Sequence, residues 1–334
     1  MRDLKLDNLK GLAMVLIVFG HFFEQTILMD FQIPYFIYIC RCALAMPIFV
    51  FVSGYLSKTA SDSGTKAFRN IFMPYLLFST LWIIFSFLKD GNLSLENYFF
   101  PAAGLWYLLC LFYWRTFLPA LDKFKYPILL SIIPVLYLGT LNINFDFLAI
   151  SRAISFLPIF LFGFYFKEIK EKIKIKNIYV AVIGFIVSLS IFAFAIQNHG
   201  AIMSFKRSYS ELGLSDPKGI LLTLFVLIAS MVVLTLLYSF MTSNKTFLTK
   251  IGKNSLVVYV FHFYIFLSMP QILTNLGLNF ILNNTYYSIL YAVLLPSLVL
   301  YILSRDVLTE WTNKLIFVFT KFITKNPDKN KISD

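Results

Sequence analysis

Runs of about 18 or more apolar residues recur along the whole of this chain. A helix built from such a run rises about 1.5 Å per residue and crosses a hydrocarbon core about 30 Å thick. The composition agrees, because 59% of the residues are hydrophobic and 14% are charged, whereas soluble domains average roughly 25% charged residues. We therefore expect the chain to fold within a lipid bilayer.

The runs predict an all-α, polytopic membrane helix bundle with about ten transmembrane helices. The predicted spans are 9–29, 36–57, 70–88, 102–121, 126–141, 149–166, 177–196, 217–240, 255–273 and 285–305. The first run is too long for the apolar region of a signal peptide and lacks a small-residue cleavage site. It should therefore remain in the protein as the first helix.

Basic residues are distributed unevenly between the loops. Ten spans put both termini on one side, and the segments on that side hold 22 of the 29 Lys and Arg residues. The opposite side holds only Lys89, Lys206, Arg207 and Lys218. The positive-inside rule then places the basic side and both termini in the cytoplasm. Because these cations lie in short loops and form no basic face, the net charge of +12 does not indicate a nucleic-acid partner.

The sequence predicts three regions. Residues 1–306 form the transmembrane domain, which leaves no room for a soluble catalytic domain. Residues 307–324 are too polar and too short to be assigned as a membrane span. Their pattern favours an amphipathic helix in the cytoplasmic interface. Residues 325–334 form a polar tail that we expect to be disordered.

The first helix carries a stripe of ionisable side chains. His21 follows Lys10 by eleven residues. At 100° per residue, the rotation between them is within about 20° of three full turns, and the rise along the helix is roughly 16 Å. Asp7 and Glu24 flank the same face. An ionisable stripe on a spanning helix should face the protein interior, where His can transfer a proton near neutral pH.

A structural interpretation of the stripe is equally open. Asp7 and Lys10 can anchor the helix at the interface, while His21 and Glu24 hydrogen-bond a neighbouring helix. The spacing of His21 and Glu24 offers only two metal ligands, which is weak support for a metal site. No phosphate-binding loop or nucleophile-elbow motif occurs in the sequence.

The stripe and several other segments together resemble the acyltransferase-3 family of prokaryotic integral-membrane O-acyltransferases. The family signature of a basic residue, ten residues and then His is matched by Lys10 and His21 in DNLKGLAMVLIVFGH. The further matches are MPIFVFVSGYL (46–56), FRNIFMPYLL (68–77), GLWYL (104–108), FLPIFLFGFYF (156–166) and GKNSLVVYVFH (252–262). The order and spacing of these segments extend the resemblance over nearly the whole chain.

The sequence departs from the family pattern at two places. The family more often has Arg where Lys10 stands, and its pair of arginines three residues apart appears here as Lys66 and Arg69. Lysine keeps the charge but loses the bidentate fork of arginine. At the two lysine positions a phosphate would therefore be bound by charge alone, without a bidentate fork.

The resemblance implies transfer of an acyl group, usually acetyl, from cytoplasmic acetyl-coenzyme A to a sugar hydroxyl. Lys10, Lys66 and Arg69 would bind the coenzyme A phosphates, and no metal is implied. His21 would act as general base, or carry the acetyl group covalently, with Glu24 or Asp7 as the orienting carboxylate.

Five further residues are candidates for binding the acceptor: Arg41, Arg152, Trp106, Tyr107 and His262. The two arginines, buried in apolar runs, could bind an acceptor anion or the oxyanion. Salt bridges to Glu24 or Asp146 are the alternative. The aromatic pair could stack on a sugar or belong to an interfacial aromatic belt. His262 could line the cavity or make a structural hydrogen bond, and Arg115 is expected to snorkel.

The expected function is O-acetylation of a capsular, cell-wall or lipid-linked saccharide by a multi-pass protein of a bacterial plasma membrane. Its partners would be acyl-coenzyme A, the glycan acceptor and membrane lipid. A transporter or flippase for a glycan or lipid-linked sugar is the alternative, since it too needs a polar cavity with arginines. A transporter has no need for a coenzyme A site, so the basic residues favour the enzyme.

Overall fold

A computed structural model describes residues 3–30, 32–59, 63–91, 93–141, 147–171, 178–199 and 207–324. Every regular element in these ranges is a helix, which confirms the all-α prediction. The α-helices are α1 (Leu4–Glu24), α2 (Gln32–Cys40), α3 (Met46–Leu56), α4 (Ser63–Ala67), α5 (Met73–Asp90), α6 (Trp106–Leu121), α7 (Pro127–Leu138), α8 (Ile150–Ser155), α9 (Leu157–Ile169), α10 (Ile178–His199), α11 (Asp216–Phe240), α12 (Phe247–Lys253), α13 (Ser255–Asn275), α14 (Phe280–Asn283), α15 (Thr285–Leu303) and α16 (Asp306–Ile323).

Seven helical segments of the described chain are long and apolar enough to cross a membrane. They are Leu4–Glu24, Tyr35–Leu56, Ser63–Asp90, Tyr179–Ile196, Asp216–Phe240, Ser255–Asn275 and Thr285–Leu303. An eighth is obtained if Phe147–Ser155 and Leu157–Ile169, which are bent by 49°, form one span. The two other predicted spans are helices of 16 and 12 residues, α6 and α7. The polytopic helical class is confirmed, with seven or eight helices of sufficient length where ten were predicted.

The predicted interfacial segment is helical as α16 (Asp306–Ile323). Its exposed large apolar side chains follow one face at intervals of three and four residues. They include Val307, Trp311, Leu315, Val318 and Phe322. A location in the membrane interface stays a prediction. The predicted disordered tail, 325–334, lies outside the described residues.

The chain forms two compact units. The first unit comprises Met1–Met46 and Met241–Asp334, and the second comprises Pro47–Phe240. The first unit therefore joins the beginning of the chain to its last third. This pairing brings the ionisable stripe of α1 together with α12, α13 and α15.

Two glycines let α1 and α12 in the first unit approach at the level of their backbones. A Cβ added to Gly11 would overlap the backbone carbonyl of Leu248, and one added to Gly252 would overlap the carbonyl of Asp7. Small residues at a helix crossing permit this close backbone contact in membrane proteins. The crossing fixes the rotation of α1 about its own axis.

Asn8 adds a polar clamp at the same crossing. Its buried amide donates to the carbonyls of Thr242 and Asn244, both at 2.9 Å. Its carbonyl oxygen accepts from the hydroxyls of Thr246 at 2.9 Å and Thr249 at 2.6 Å. All of the hydrogen-bonding capacity of the amide is thus satisfied, and α1 is held to the segment that leads into α12.

Asn254 is a second buried clamp in the first unit. Its amide donates to the Ser304 carbonyl at 2.7 Å and to the Asp306 carboxylate at 2.9 Å, while its carbonyl accepts from the Thr309 hydroxyl at 2.7 Å. Hydrogen bonds from Asn254 and Lys253 lower the pKa of the Asp306 carboxyl below its ordinary value. The start of α16 is thereby attached to the α12–α13 junction.

The second unit contains a crossing of the same kind. A Cβ on Gly54 of α3 would overlap the Phe160 carbonyl of α9, and a Cβ on Gly163 of α9 would overlap the Phe51 carbonyl of α3. Beside this crossing, the buried Trp114 of α6 donates from Nε1 to the carbonyl of Ala153 at 2.7 Å. Both units are therefore organised around pairs of glycines on crossing helices.

Two helices widen into π turns immediately before a proline. The first π turn is Arg41–Ala45 and the second is Phe68–Phe72, and the prolines are Pro47 and Pro74. A proline has no backbone N–H and its ring crowds the carbonyl four residues earlier, so the preceding turn cannot keep regular α-helical bonds. The π turns carry Arg41 and Arg69, and such turns are frequent at functional sites.

We predict that Gly252→Ala lowers the stability of the protein, because the added methyl group meets the backbone of α1 and the two helices must move apart. Overpacking of this kind costs about 1–3 kcal/mol. Thermal unfolding in detergent should show a lower midpoint than for wild type. Gly184→Ala is the matched control, because its Cβ would lie 3.7 Å from Leu236 and Val232, at ordinary contact distance. An equal effect of the two substitutions would contradict the prediction.

Candidate active site

His21 lies in the last turn of α1, next to the first π turn. Its Nδ1 atom is 2.6 Å from Nη1 of Arg41 and 3.2 Å from Oε2 of Glu24. The His21 side chain is 20% exposed, so the ring is largely enclosed but reachable. All three side chains belong to the first unit.

Arg41 and Glu24 form a bidentate ion pair. Nη1 of Arg41 donates to Oε2 of Glu24 at 2.7 Å, and Nη2 donates to Oε1. The second proton of Nη1 is then available for His21. The sequence left open whether Arg41 makes a salt bridge or takes part in substrate binding. The structure shows that the Arg41 side chain contacts both Glu24 and His21. The other alternative partner, Asp146, lies outside the described residues.

The contacts at Nδ1 correspond to two alternative tautomers of His21. An arginine N–H can only donate, so the contact with Arg41 requires a lone pair on Nδ1 and a proton on Nε2. A carboxylate can only accept, so a hydrogen bond to Glu24 requires the proton on Nδ1. The two bonds exclude each other, and the position of the Arg41 guanidinium selects between them.

Gly20 provides the space in which Arg41 lies. A Cβ added to Gly20 would overlap the aliphatic part of the Arg41 side chain. The glycine precedes His21 directly, so it brings the guanidinium onto the histidine ring. The sequence-based prediction missed this residue, although the GH pair at the end of the first apolar run is a visible signal.

His262 of α13 lies against His21. Their ring centroids are 5.6 Å apart with the planes tilted by 31°, and the His21 ring also contacts Phe263 and Phe266, each at 5.0 Å. His262 is fully buried, and its Nδ1 lies 2.8 Å from the carbonyl oxygen of Val258. The structure thus shows the structural hydrogen bond of His262 and its contact with His21, whereas lining of a substrate cavity stays a prediction.

Gln25 connects the end of α1 to α13 and α15. Its amide donates to the Phe266 carbonyl at 2.6 Å, and its oxygen accepts from the Tyr291 hydroxyl at 2.6 Å. The sequence-based prediction did not include Gln25. It follows Glu24 directly and holds the end of the helix that presents the candidate site.

Lys10 and Asp7 form an ion pair farther along α1. Nζ of Lys10 is 2.9 Å from Oδ1 of Asp7, whose side chain is 4% exposed. Fourteen residues separate Asp7 from His21, which corresponds to about 21 Å along a helix. Asp7 is too distant to orient His21 directly, so the carboxylate with that geometry is Glu24.

The other predicted site residues belong to the second unit. Lys66 lies exposed on α4, and Arg69 lies half-buried in the second π turn. Arg152 is buried, and its guanidinium carbon is 4.7 Å from the centroid of the Trp106 ring, a cation–π geometry. Tyr107 is buried and hydrogen-bonded to Ser53 at 2.6 Å, which indicates a packing role.

Metal binding has no support in the described part of the chain, where no group of three or more His, Cys, Asp or Glu side chains could hold an ion. Of the basic residues that the sequence predicts for donor binding, Lys10 belongs to the first unit, and Lys66 and Arg69 belong to the second. Arginine can bind phosphate as a fork and lysine as a point charge.

Comparisons with known proteins identify the family. A family profile described as an acyltransferase domain, that of the acyltransferase-3 family, matches residues 3–303. Comparison with curated proteins and with solved structures gave no match. The matched region contains His21 and every other candidate site residue, and the helices that it covers are those of a multi-pass membrane protein. The chain belongs to the acyltransferase-3 family and is a membrane acyltransferase.

Proposed function

We propose that this membrane acyltransferase transfers an acetyl group from cytoplasmic acetyl-coenzyme A to a hydroxyl of a cell-surface or exported glycan, with His21 as general base. One observation carries the catalytic part of the proposal. Both polar neighbours of His21, Arg41 and Glu24, contact the same ring nitrogen, Nδ1. This arrangement leaves Nε2 as the atom that can face a substrate.

In the proposed step, Arg41 turns Nη1 away from Nδ1, and the partly exposed ring changes tautomer: Nδ1 takes a proton from water and donates it to Glu24 in a hydrogen bond, while Nε2 releases its proton to water. Nε2 then has a lone pair and takes the proton of the acceptor hydroxyl. The hydroxyl oxygen forms a bond to the thioester carbonyl carbon, and the bond from that carbon to sulfur breaks. The proton on His21 passes to the departing thiolate. General base catalysis of this kind contributes typically about 10²–10⁴-fold.

Arg41 has a second role in this proposal. Its guanidinium, released from Nδ1 but still paired through Nη2 with Glu24, can donate to the oxyanion that develops on the thioester carbonyl. Donors held in place for such a charge are among the largest contributions to catalysis. The ion pair with Glu24 keeps the guanidinium beside the ring without leaving a buried charge unpaired.

The donor would be bound by Lys10, Lys66 and Arg69. All three lie on segments that the distribution of basic residues assigns to the cytoplasmic side, where acetyl-coenzyme A is available. The rise of roughly 16 Å between Lys10 and His21 along α1 is of the order of a pantetheine arm. A donor whose phosphates are bound near Lys10 could therefore reach His21 with its thioester.

Arg41 and His262 of the first unit would contact the acceptor at its reacting end. Arg152 and Trp106 of the second unit stay predicted acceptor-binding residues. The cation–π pair of Arg152 and Trp106 presents a guanidinium and an aromatic ring together. These groups suit an acidic or phosphorylated saccharide. The protein would act in a bacterial plasma membrane on a capsular, cell-wall or lipid-linked glycan.

The direct experiment compares O-acetyl groups on surface glycans, by NMR, in cells with and without this gene. Loss of O-acetyl signals on deletion, with recovery on complementation, is the expected result. Identical O-acetyl signals in the two strains would refute the glycan O-acetyltransferase assignment. Acyltransferase-3 membership already favours an enzyme over a transporter.

We predict that His21→Ala lowers acetyl transfer by at least about 100-fold, because the general base is removed. The protein should remain folded, since the His21 side chain is partly exposed and makes no backbone contact that holds a helix. Acetyl transfer in membranes and the thermal midpoint in detergent measure the two expectations. Near-normal transfer by this variant would remove His21 from the mechanism.

We predict that Gly20→Ala lowers kcat by about 10–100-fold with little change in the KM for acetyl-coenzyme A. The added methyl group displaces Arg41 from Nδ1 and Glu24, and small displacements at a reacting centre cost up to about 100-fold. Steady-state kinetics of purified protein test this, with Gly184→Ala as control because a methyl group fits there. An unchanged kcat would show that the position of Arg41 does not matter.

We predict that the double variant Asp7→Asn, Lys10→Met raises the KM for acetyl-coenzyme A by about tenfold or more, since a charge-assisted bond to phosphate is worth about 1.5–3 kcal/mol. Replacing both partners avoids a buried, unpaired Asp7 carboxylate. Lys10→Arg keeps the charge and should preserve the KM. Acetyl-pantetheine, which lacks the nucleotide phosphates, should be used equally by all variants. A parallel loss with both donors would exclude phosphate binding by Lys10.

A further inference from the structure

The Nε2 atom of His262 is a buried polar atom for which no hydrogen-bond partner exists among the described residues. The side chain as a whole is fully buried. Buried polar groups in folded proteins are almost always hydrogen-bonded, and each exception calls for an explanation. The proposed function places His262 at the reacting end of the acceptor, but it assigns no partner to this atom.

The tautomer of His262 follows from its other nitrogen. Nδ1 lies 2.8 Å from the carbonyl oxygen of Val258, and a carbonyl oxygen can only accept. Nδ1 therefore bears the ring proton, and Nε2 bears a lone pair. The atom without a partner is an acceptor that needs a donor.

Of the two neighbouring histidine rings, His21 is the accessible one. The His21 side chain is 20% exposed, His262 is fully buried, and the two ring centroids are 5.6 Å apart. The charged groups nearest the two rings are Arg41 and Glu24, and both are engaged with each other at Nδ1 of His21. A substrate bound against the His21 ring would be close enough to His262 to bring a donor to its Nε2 atom.

We propose that Nε2 of His262 accepts a hydrogen bond from a second hydroxyl of the acceptor, adjacent to the hydroxyl that His21 deprotonates. The acceptor is thus a sugar with two neighbouring free hydroxyls. This inference rests on the proposed function, because it assigns a neighbour to the hydroxyl that is acetylated. His262 is a specificity-determining residue that touches the substrate.

The chemistry of the two histidines favours an acceptor that brings two hydroxyls to the site over an acceptor that brings one. In the reacting form His21 holds its proton on Nδ1 toward Glu24, so both histidines present an Nε2 lone pair. A single hydroxyl has one proton and cannot donate to both acceptors. Two hydroxyls on neighbouring carbons can donate one hydrogen bond to each histidine. Hydrogen bonds of about 2.8 Å from adjacent oxygens are compatible with two rings whose centroids are 5.6 Å apart.

Two substitutions of His262 separate the acceptor at Nε2 from the structural bond at Nδ1. His262→Asn places an amide N–H where Nδ1 lies and can keep the bond to Val258, but it has no atom at the position of Nε2. His262→Gln reaches the position of Nε2 with an amide oxygen that can accept. A purely structural role predicts that Asn is tolerated better than Gln, whereas the proposed role predicts the opposite order.

The experiment introduces each substitution into the native gene and measures O-acetyl groups on surface glycans by NMR, together with the amount of folded protein in membranes. We expect His262→Asn to lower acetylation by about tenfold or more, the effect of losing one substrate hydrogen bond, and His262→Gln to stay within severalfold of wild type. The acetylated carbon should have a neighbouring carbon that carries a free hydroxyl.

The outcomes that overturn this proposal differ from those that overturn the proposed function. Wild-type acetylation by His262→Asn, equal losses in both variants at normal protein levels, or an acetylated carbon without a neighbouring hydroxyl would each overturn the role of His262 alone. Absence of O-acetyl groups in cells with the wild-type gene would overturn the proposed function, and this inference with it.

Discussion

The close contact between α1 and α12 is the constraint on which the first unit depends. Backbone touches backbone at Gly11 and Gly252, and Asn8 ties the same pair of segments through four hydrogen bonds. In a bilayer, apolar surfaces gain little by meeting each other, so small residues and buried hydrogen bonds carry more of the specificity of helix packing. With the rotation of α1 fixed in this way, Lys10 and His21 face the protein interior, each beside a carboxylate of the same helix.

Arg41 reaches His21 through two irregularities that are encoded by small sequence signals. Pro47 removes a backbone donor and crowds the turn before it, which widens into a π turn that begins at Arg41. Gly20 then leaves room for the aliphatic part of the arginine side chain. The same Met-Pro arrangement at Pro74 follows the π turn of Arg69. Proline positions in apolar runs are thus informative about where a membrane helix presents a charged residue.

The helical class, the approximate helix ends and the shared face of Lys10 and His21 could be predicted from the sequence, because they follow from hydropathy and from a period of 3.6 residues. The sequence offered an Arg41–Glu24 salt bridge and a role of Arg41 in the site only as alternatives. That Arg41 contacts Glu24 and His21 together could not be predicted, because it depends on a chain reversal between residues 17 positions apart. Sequence reasoning also gave Asp7 the same possible role as Glu24, and the rise per residue along α1 excludes that role. Asn8, Gln25 and Asn254 were missed because the hydrogen bonds that tie them to other helices span 50 or more positions of the chain.

The attachment of α16 joins the matched family region to the helix that follows it. The matched family region ends at residue 303, yet Asn254 within it bonds to Asp306 and Thr309 beyond it. A chain shortened at the family boundary would leave the Asn254 carbonyl oxygen buried without its donor, at the junction that leads from α12 into the helix of His262. The first turn of the last helix is therefore a structural part of the first unit, packed against the junction that leads to His262.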